Sequence, residues 1–454
     1  MAVRPFCLLA HLPCNNSQAL VAPRSILDSP SKKLCIIDQV FFSMGGMPRC
    51  SLRRSVTPVP ETEGGIMSLK ANADAILRKG VESGAVPGVV AAATDANGTI
   101  YEGAFGVRTL GKPETMTPDT VVWIASMTKA LTGTAAMQLV EQEKLALDEP
   151  IGDVLPALKE VVVLEGFDAD GQPRTRAPKR PITLRHLLTH TAGFGYEFWN
   201  ADVVRYQQVK GLPPIISCQD ATLKLTLHFD PGDRWEYGIN IDWVGKAVEA
   251  VSGKKLGTYL AEHVFGSLGM SDTAFFITPG MRQRLAKVHQ RGEDGALTPL
   301  MEFEIPQNPE FEMGGGGLYG TVGDYLKFIR MILNDGRAGT EQLLKPETVA
   351  LMTRNAMGDM QVSMLKSTMP AVSTDAEFFP GMPKSWGLTF MINNEEAPTG
   401  RSAGSLAWAG LANSYYWIDL RRKLGGAYAT QIFPFADTKA LPLFFEFEQA
   451  VYQG

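Results

Sequence analysis

The segment that most restricts the fold is Val121 to Val140, VVWIASMTKALTGTAAMQLV, in which Lys129 is the single charged residue. A β-branched and aromatic run ends at Ala125, and Ala130 to Val140 carries no charge. The spacing predicts a strand-like piece feeding a helix buried on most sides. Ser126 falls at the helix start, where unpaired backbone N–H groups collect and negative charge is favoured. Three residues are nearly one turn, which sets the Lys129 ammonium beside the Ser126 hydroxyl. In so apolar a segment the lysine loses hydration, its pKa falls, and it becomes able to accept a proton near neutrality. The pair reads as a serine nucleophile with an adjacent base.

S-x-x-K alone is a weak signal, because the chain also has it at Ser29–Lys32, Ser252–Lys255 and Ser363–Lys366. Only the Ser126 copy opens a long apolar helix directly after a strand-like run, the context its mechanics require. At the other three, a capping serine followed by a snorkelling lysine is the expected reading.

At 454 residues the chain can bury one large core or two communicating ones. Its 45% hydrophobic and 20% charged residues are those of an ordinary globular protein. A formal net charge of -5 gives no reason to expect nucleic acid, and no apolar run reaches spanning length. Small, largely uncharged partners are expected. Cys7, Cys14, Cys35 and Cys50 crowd the start, leaving Cys218 alone in the body, so no disulfide framework is expected there and a reducing compartment, the cytoplasm, suits the chain. Residues 1–66 lack sustained periodicity and show no clear signal-peptide cleavage site; they read as an extension of unknown role, or as sequence upstream of a start at Met67.

From Met67 a helix runs to Gly84, followed by two strand-like runs, GVVAAATD and TIYEGAFGV, joined through Asn97-Gly98, a strong hairpin signal. Glu165 to Pro181 reads as an exposed excursion, and Ile182 to Gly193 as a compact helix capped by Thr183. His186 and His190 stand four apart on it, but Leu187 occupies the place of a metalloprotease glutamate, so a hydrogen-bonded structural pair is expected and no metal. The aromatics Tyr196, Phe198 and Trp199 are core, lid, or the lining of an acyl or alcohol pocket. Tyr237 stands on a loop ahead of a helix. Gly314 to Gly317 lack the ending of a phosphate loop and serve close backbone packing. SAGSLAWAGLANSYYWIDL and GGAYATQIF read as strands, and a helix from about Thr438 to Tyr452 closes the chain.

Ser126-Met-Thr-Lys129, Tyr237-Gly-Ile239 and Trp408-Ala409-Gly410, in that order, make the chain resemble the serine hydrolases of the class C β-lactamase and penicillin-binding-protein group. Within it the chain is similar to family VIII carboxylesterases and lovastatin-type side-chain acyltransferases. ITLRHLLTHT, the run from Tyr237 through Asp242 and Trp243 to Gly245, and GGGGLYGT extend the likeness, which starts at about Met67. It implies Ser126 as acylated nucleophile, Lys129 as base, and Tyr237 as proton shuttle to the leaving group. A phenol is about three units from neutrality, on the order of 4 kcal/mol, so a Lys129 cation beside Tyr237 is expected to favour the phenolate. The implied oxyanion hole is the backbone N–H of Ser126 and of Leu411, each donor worth roughly 3 kcal/mol. Penicillin-binding enzymes usually open the third motif with lysine and place asparagine two residues after the tyrosine; Trp408 and Ile239 stand there instead, which favours an uncharged ester.

The expected fold is α/β of the α+β type, β-lactamase-like, with an antiparallel sheet flanked by helices plus a mostly helical region. The sheet part covers about 67–125 and 310–454, the helical part about 126–309. The expected reaction is hydrolysis of short- to medium-chain carboxylic esters through an acyl-serine, with no cofactor. Transfer to an alcohol and promiscuous β-lactam hydrolysis are the alternatives, and a non-catalytic binding or filament-forming relative stands behind them.

Overall fold

The computed structural model describes residues 68–454; the expectations for residues 1–66 lie outside the described residues. The main sheet has seven strands in the order Lys384–Trp386, Met391–Asn393, Leu406–Gly410, Ser414–Asp419, Leu424–Ala429, Gly88–Asp95 and Thr99–Gly106. All neighbours run antiparallel. The N-terminal hairpin turns where predicted, with the Asp95 carboxylate accepting from the N–H of Asn97 (2.7 Å) and Gly98 (2.8 Å). It then joins the C-terminal strands, Val90 lying opposite Ala429.

Both faces of the sheet are covered, which is why SYYWID reads as a continuous apolar run rather than an alternating one. Successive side chains point to opposite faces. Tyr416 meets Tyr325 of the helix Val322–Leu333 at 5.0 Å between ring centroids, while Trp417 meets Phe444 and Phe447 of the helix Ala440–Gln453. The helix Leu69–Glu82 lies beside that last helix, and Gly80 lets the two approach closely, since a Cβ there would fall 2.4 Å from Leu443 Cδ2 and the leucine would have to turn aside.

Thr128–Glu141 is buried at every position from Thr128 to Leu139, as the uncharged run Ala130 to Val140 predicts, and Lys129 is buried with it. The stretch 126–309 also contains strands, the hairpin Val163–Phe167 with Pro173–Arg176 and the pair His289–Arg291 with Leu297–Pro299. Two local expectations change. The helix after Thr183 spans only Leu184–Leu188, because His190 turns into the left-handed region at φ 56 and faces its ring toward Gly238 and Asn240. The run from Ser402 to Leu420 is two strands, not one. They meet at the hairpin turn Leu411–Asn413, where Asn413 adopts φ 56.

Candidate active site

Val121–Trp123 pairs with Tyr319–Thr321 and ends in a sharp turn. Ala125 takes φ 45, a conformation that costs an alanine about 1 to 2 kcal/mol. Its surroundings impose it. Gln431 binds both the N–H and the C=O of Trp123 at 3.0 Å, Ile124 N–H bonds to Leu318 C=O, and the Tyr325 hydroxyl donates to Met127 C=O at 2.9 Å. Ser126 therefore lies in a tight turn, Ala125–Met127, just ahead of the helix that starts at Thr128. It is the one residue from Val121 to Ala130 that is not buried.

Lys129 is buried, and its Nζ donates to Ser126 Oγ (3.1 Å), Tyr196 Oη (3.2 Å) and Gly315 C=O (2.5 Å). Loss of hydration brings its pKa down to about 7, against the opposing pull of the Asp242 carboxylate. Tyr237 is walled by His190, Trp235, Trp386 and Trp408, and Trp408 Nε1 donates to its Oη at 2.8 Å. Burial raises the Tyr237 pKa, and the Ser126 and Trp408 hydrogen bonds offset only part of that. The expected phenolate is not what this geometry favours. An ammonium at Lys129 Nζ, 4.7 Å from the ring centroid, would favour the phenolate, but burial of the hydroxyl outweighs it and the phenol keeps its proton near neutrality.

Leu411 follows the strand Leu406–Gly410, whose end packs directly on the Ser126 turn: a Cβ on Gly410 would lie 2.4 Å from Ile124 C=O. Among the described residues neither the Ser126 nor the Leu411 backbone N–H has a hydrogen-bond partner. Two hollows meet at Ser126, Trp199 and Leu411. The larger, about 330 Å³ with its mouth included, is walled by Tyr196, Phe198, Ile215, Ile216 and Met313. The smaller, about 210 Å³, is walled by Tyr237, Trp408, Ala409, Leu365 and Phe435.

Ile239 does not join the pocket. It is fully buried at the start of the helix Asn240–Ser252 and lines neither hollow. Gly410 contributes close packing rather than a wall. Tyr196 lines the larger hollow and also touches Lys129. His186 Nδ1 accepts from Thr183 N–H in a capping box, and His190 is buried behind Tyr237. Among the described residues no group of three His, Cys, Asp or Glu side chains could hold a metal ion, and no helix is long and apolar enough to cross a membrane. Sequence reasoning missed Asp242 and Gly315 as neighbours of Lys129. Asp242 had a usable signal, as the one acidic residue in the first turn of an apolar helix.

The family profile described as Beta-lactamase matches residues 73–447, and the chain belongs to the β-lactamase family, a group of serine enzymes built on this fold. Its relatives narrow the branch. It is 33% identical over 423 residues to monacolin J acid methylbutanoyltransferase of Aspergillus terreus, covering 86% of this chain and 98% of that protein. It is 31% identical over 378 residues to the lovastatin esterase of Penicillium rubens, covering 79% of this chain and 92% of that protein. Among solved structures it superimposes on a simvastatin synthase (LovD) variant from Aspergillus terreus with a TM-score of 0.73 at 32% identity, covering 86% of this chain and 98% of the other.

Proposed function

We propose that this enzyme cleaves small carboxylic esters with apolar alcohol parts through an acyl-Ser126 intermediate. The observation that carries this reading is the 3.1 Å contact of Lys129 Nζ with Ser126 Oγ at the meeting point of two apolar hollows. Lys129, held largely neutral above pH 7 by burial, takes the Ser126 proton as Oγ attacks the ester carbonyl. The carbonyl oxygen becomes negative against the N–H groups of Ser126 and Leu411. Tyr237, still protonated, gives its proton to the departing alkoxide and is reprotonated from Lys129. Water or a second alcohol then reverses these steps.

The smaller hollow carries Tyr237, so the alcohol lies there; Leu365, Phe435 and Trp408 suit an apolar one. The same walls favour a second reading, transfer of the acyl group to an alcohol acceptor. Incubation with a chromogenic butyrate ester and increasing apolar alcohol, with products separated by mass, distinguishes the two. Butyrate alone is expected without acceptor and a growing share of new ester with it; no acyl product of either kind would refute the proposal. No arginine or lysine lines either hollow, so nothing there matches a β-lactam carboxylate. Nitrocefin turnover is expected to be at least about a hundredfold slower than ester turnover in the same preparation.

Trp408→Phe removes the N–H that holds Tyr237 Oη while keeping an aromatic wall. It is expected to lower kcat about tenfold, the worth of one such hydrogen bond, with little change in KM. Steady-state kinetics on the butyrate ester check this.

A further inference from the structure

The hydrogen bonds around Lys129 form a closed ring. Lys129 Nζ contacts Gly315 C=O and Tyr196 Oη; Gly315 N–H donates to Asp242 Oδ1 at 2.8 Å; the Tyr196 hydroxyl donates to Asp242 Oδ2 at 3.4 Å. Asp242 is 1% exposed, and its hydrogen-bonded connection to Lys129 runs through these two bridges, while its charge acts on the amine through space. The ring is tightly closed: a Cβ on Gly315 would stand 2.5 Å from Asp242 Oδ2 and 2.8 Å from Tyr196 Oη. A charged carboxyl so deep in a helix turn is expensive to bury without a function for its charge.

We propose that Asp242 is a positioning residue for Lys129: through Tyr196 and the Gly315 peptide it aims the amine at Ser126 and places a negative charge behind it as the serine proton arrives. This rests on the acyl-Ser126 reading above. In that step the Ser126 O–H bond breaks, its proton goes to Nζ, the Oγ–carbon bond forms, and the carbonyl π pair moves to oxygen. A neutral, buried amine thus becomes an ammonium, and the fixed carboxylate matches that new charge. Tyr196, which sequence reasoning assigned to a pocket wall, is the bridge between them.

Burial keeps the Tyr196 and Tyr237 phenols, the Cys218 thiol and the His190 imidazole uncharged through the neutral range. The other titrating neighbour is Glu197, pushed up to about 7 by burial and bound to Ile215 N–H at 2.8 Å. Asp242 is itself raised by burial, to about 6, and so is ionised where Lys129 loses its proton. The carboxylate raises the proton affinity of Lys129; removing its charge must therefore lower it.

Asp242→Asn keeps an acceptor for Gly315 N–H and removes the charge. In the pH profile of kcat/KM for a p-nitrophenyl ester, the acid limb is expected to move to lower pH by about one unit, and the plateau to fall about tenfold or more. Glu197→Gln is expected to leave the limb in place. Tyr196→Phe opens the ring without removing a charge; it is expected to lower kcat about tenfold and to add little to Asp242→Asn, since the ring is already open there. An unmoved limb in Asp242→Asn, an equal shift in Glu197→Gln, or fully additive losses in the double variant would each overturn the proposal. If Asp242→Asn does not fold, the Tyr196→Phe loss decides, and an unchanged kcat there refutes it. A fluorophosphonate probe on the wild type separates this failure from a failure of the underlying reading. Labelled Ser126 with an unmoved limb removes only the ring, whereas no Ser126 adduct removes the acyl-serine itself.

Discussion

Ser126→Ala is expected to lower ester turnover by roughly 10⁴-fold or more, to the level that binding and the oxyanion donors alone sustain. The change removes one oxygen from the one partly exposed position of a buried segment, and alanine tolerates the tight turn Ala125–Met127. Thermal stability should therefore stay within about 1 kcal/mol of the wild type. Lys129 loses one of three acceptors and keeps Tyr196 and Gly315, so the base remains in place without a proton to take. Stopped-flow release of p-nitrophenol, read with intact-protein mass after fluorophosphonate treatment, checks both points. Full turnover, or an adduct that persists in Ser126→Ala, would place the nucleophile elsewhere.

Gly410→Ala is expected to be the most damaging single methyl in the molecule for this chemistry. The added Cβ would stand 2.4 Å from Ile124 C=O and 2.3 Å from Ser414 Oγ, and the first of these is backbone that cannot swing aside. The strand end must retreat from the Ser126 turn, carrying Leu411 N–H away from the position where the oxyanion forms. A displaced donor typically lowers kcat by about 10² to 10³, and the overpacking costs about 1 to 3 kcal/mol of stability. The KM for a small ester should change far less than kcat. Circular dichroism melting and steady-state kinetics test the two effects separately, and a kcat within twofold of wild type would show that the strand end does not set the donor.

Much of this was legible in the chain itself. The uncharged run Ala130 to Val140 after a β-branched run announces its own burial, and Ala130 to Leu139 are buried throughout. Asp95 and Gly98 carry their turn in local chemistry, as Thr183 carries its cap. What stayed hidden depends on partners far away in sequence. Leu365 and Phe435 come from stretches without periodicity, yet they close the smaller hollow. Ile239 shares a motif with Tyr237 but lines neither hollow; two residues on from the tyrosine, it is fully buried at the start of the helix Asn240–Ser252. Periodicity tells which side of an element is covered, not what covers it. So Gly315 reads as a packing glycine, which it is, without disclosing that Asp242 and Tyr196 are what it packs against. The left-handed Ala125 was invisible for a related reason: alanine does not favour that conformation, and Gln431 and Tyr325 impose it from elsewhere.

The pairing of Val90 with Ala429 has a consequence for biosynthesis. While the ribosome is still translating the middle of the gene, the strand Gly88–Asp95 has a neighbour on one side only, and its other row of amides stays open until Leu424–Ala429 emerges. Such an open edge invites chaperones or other nascent chains, and closing so long a loop is slow. A message truncated ahead of Leu424 would yield a polypeptide that holds Ser126, Lys129, Tyr237 and Leu411 yet never completes the scaffold that brings them together.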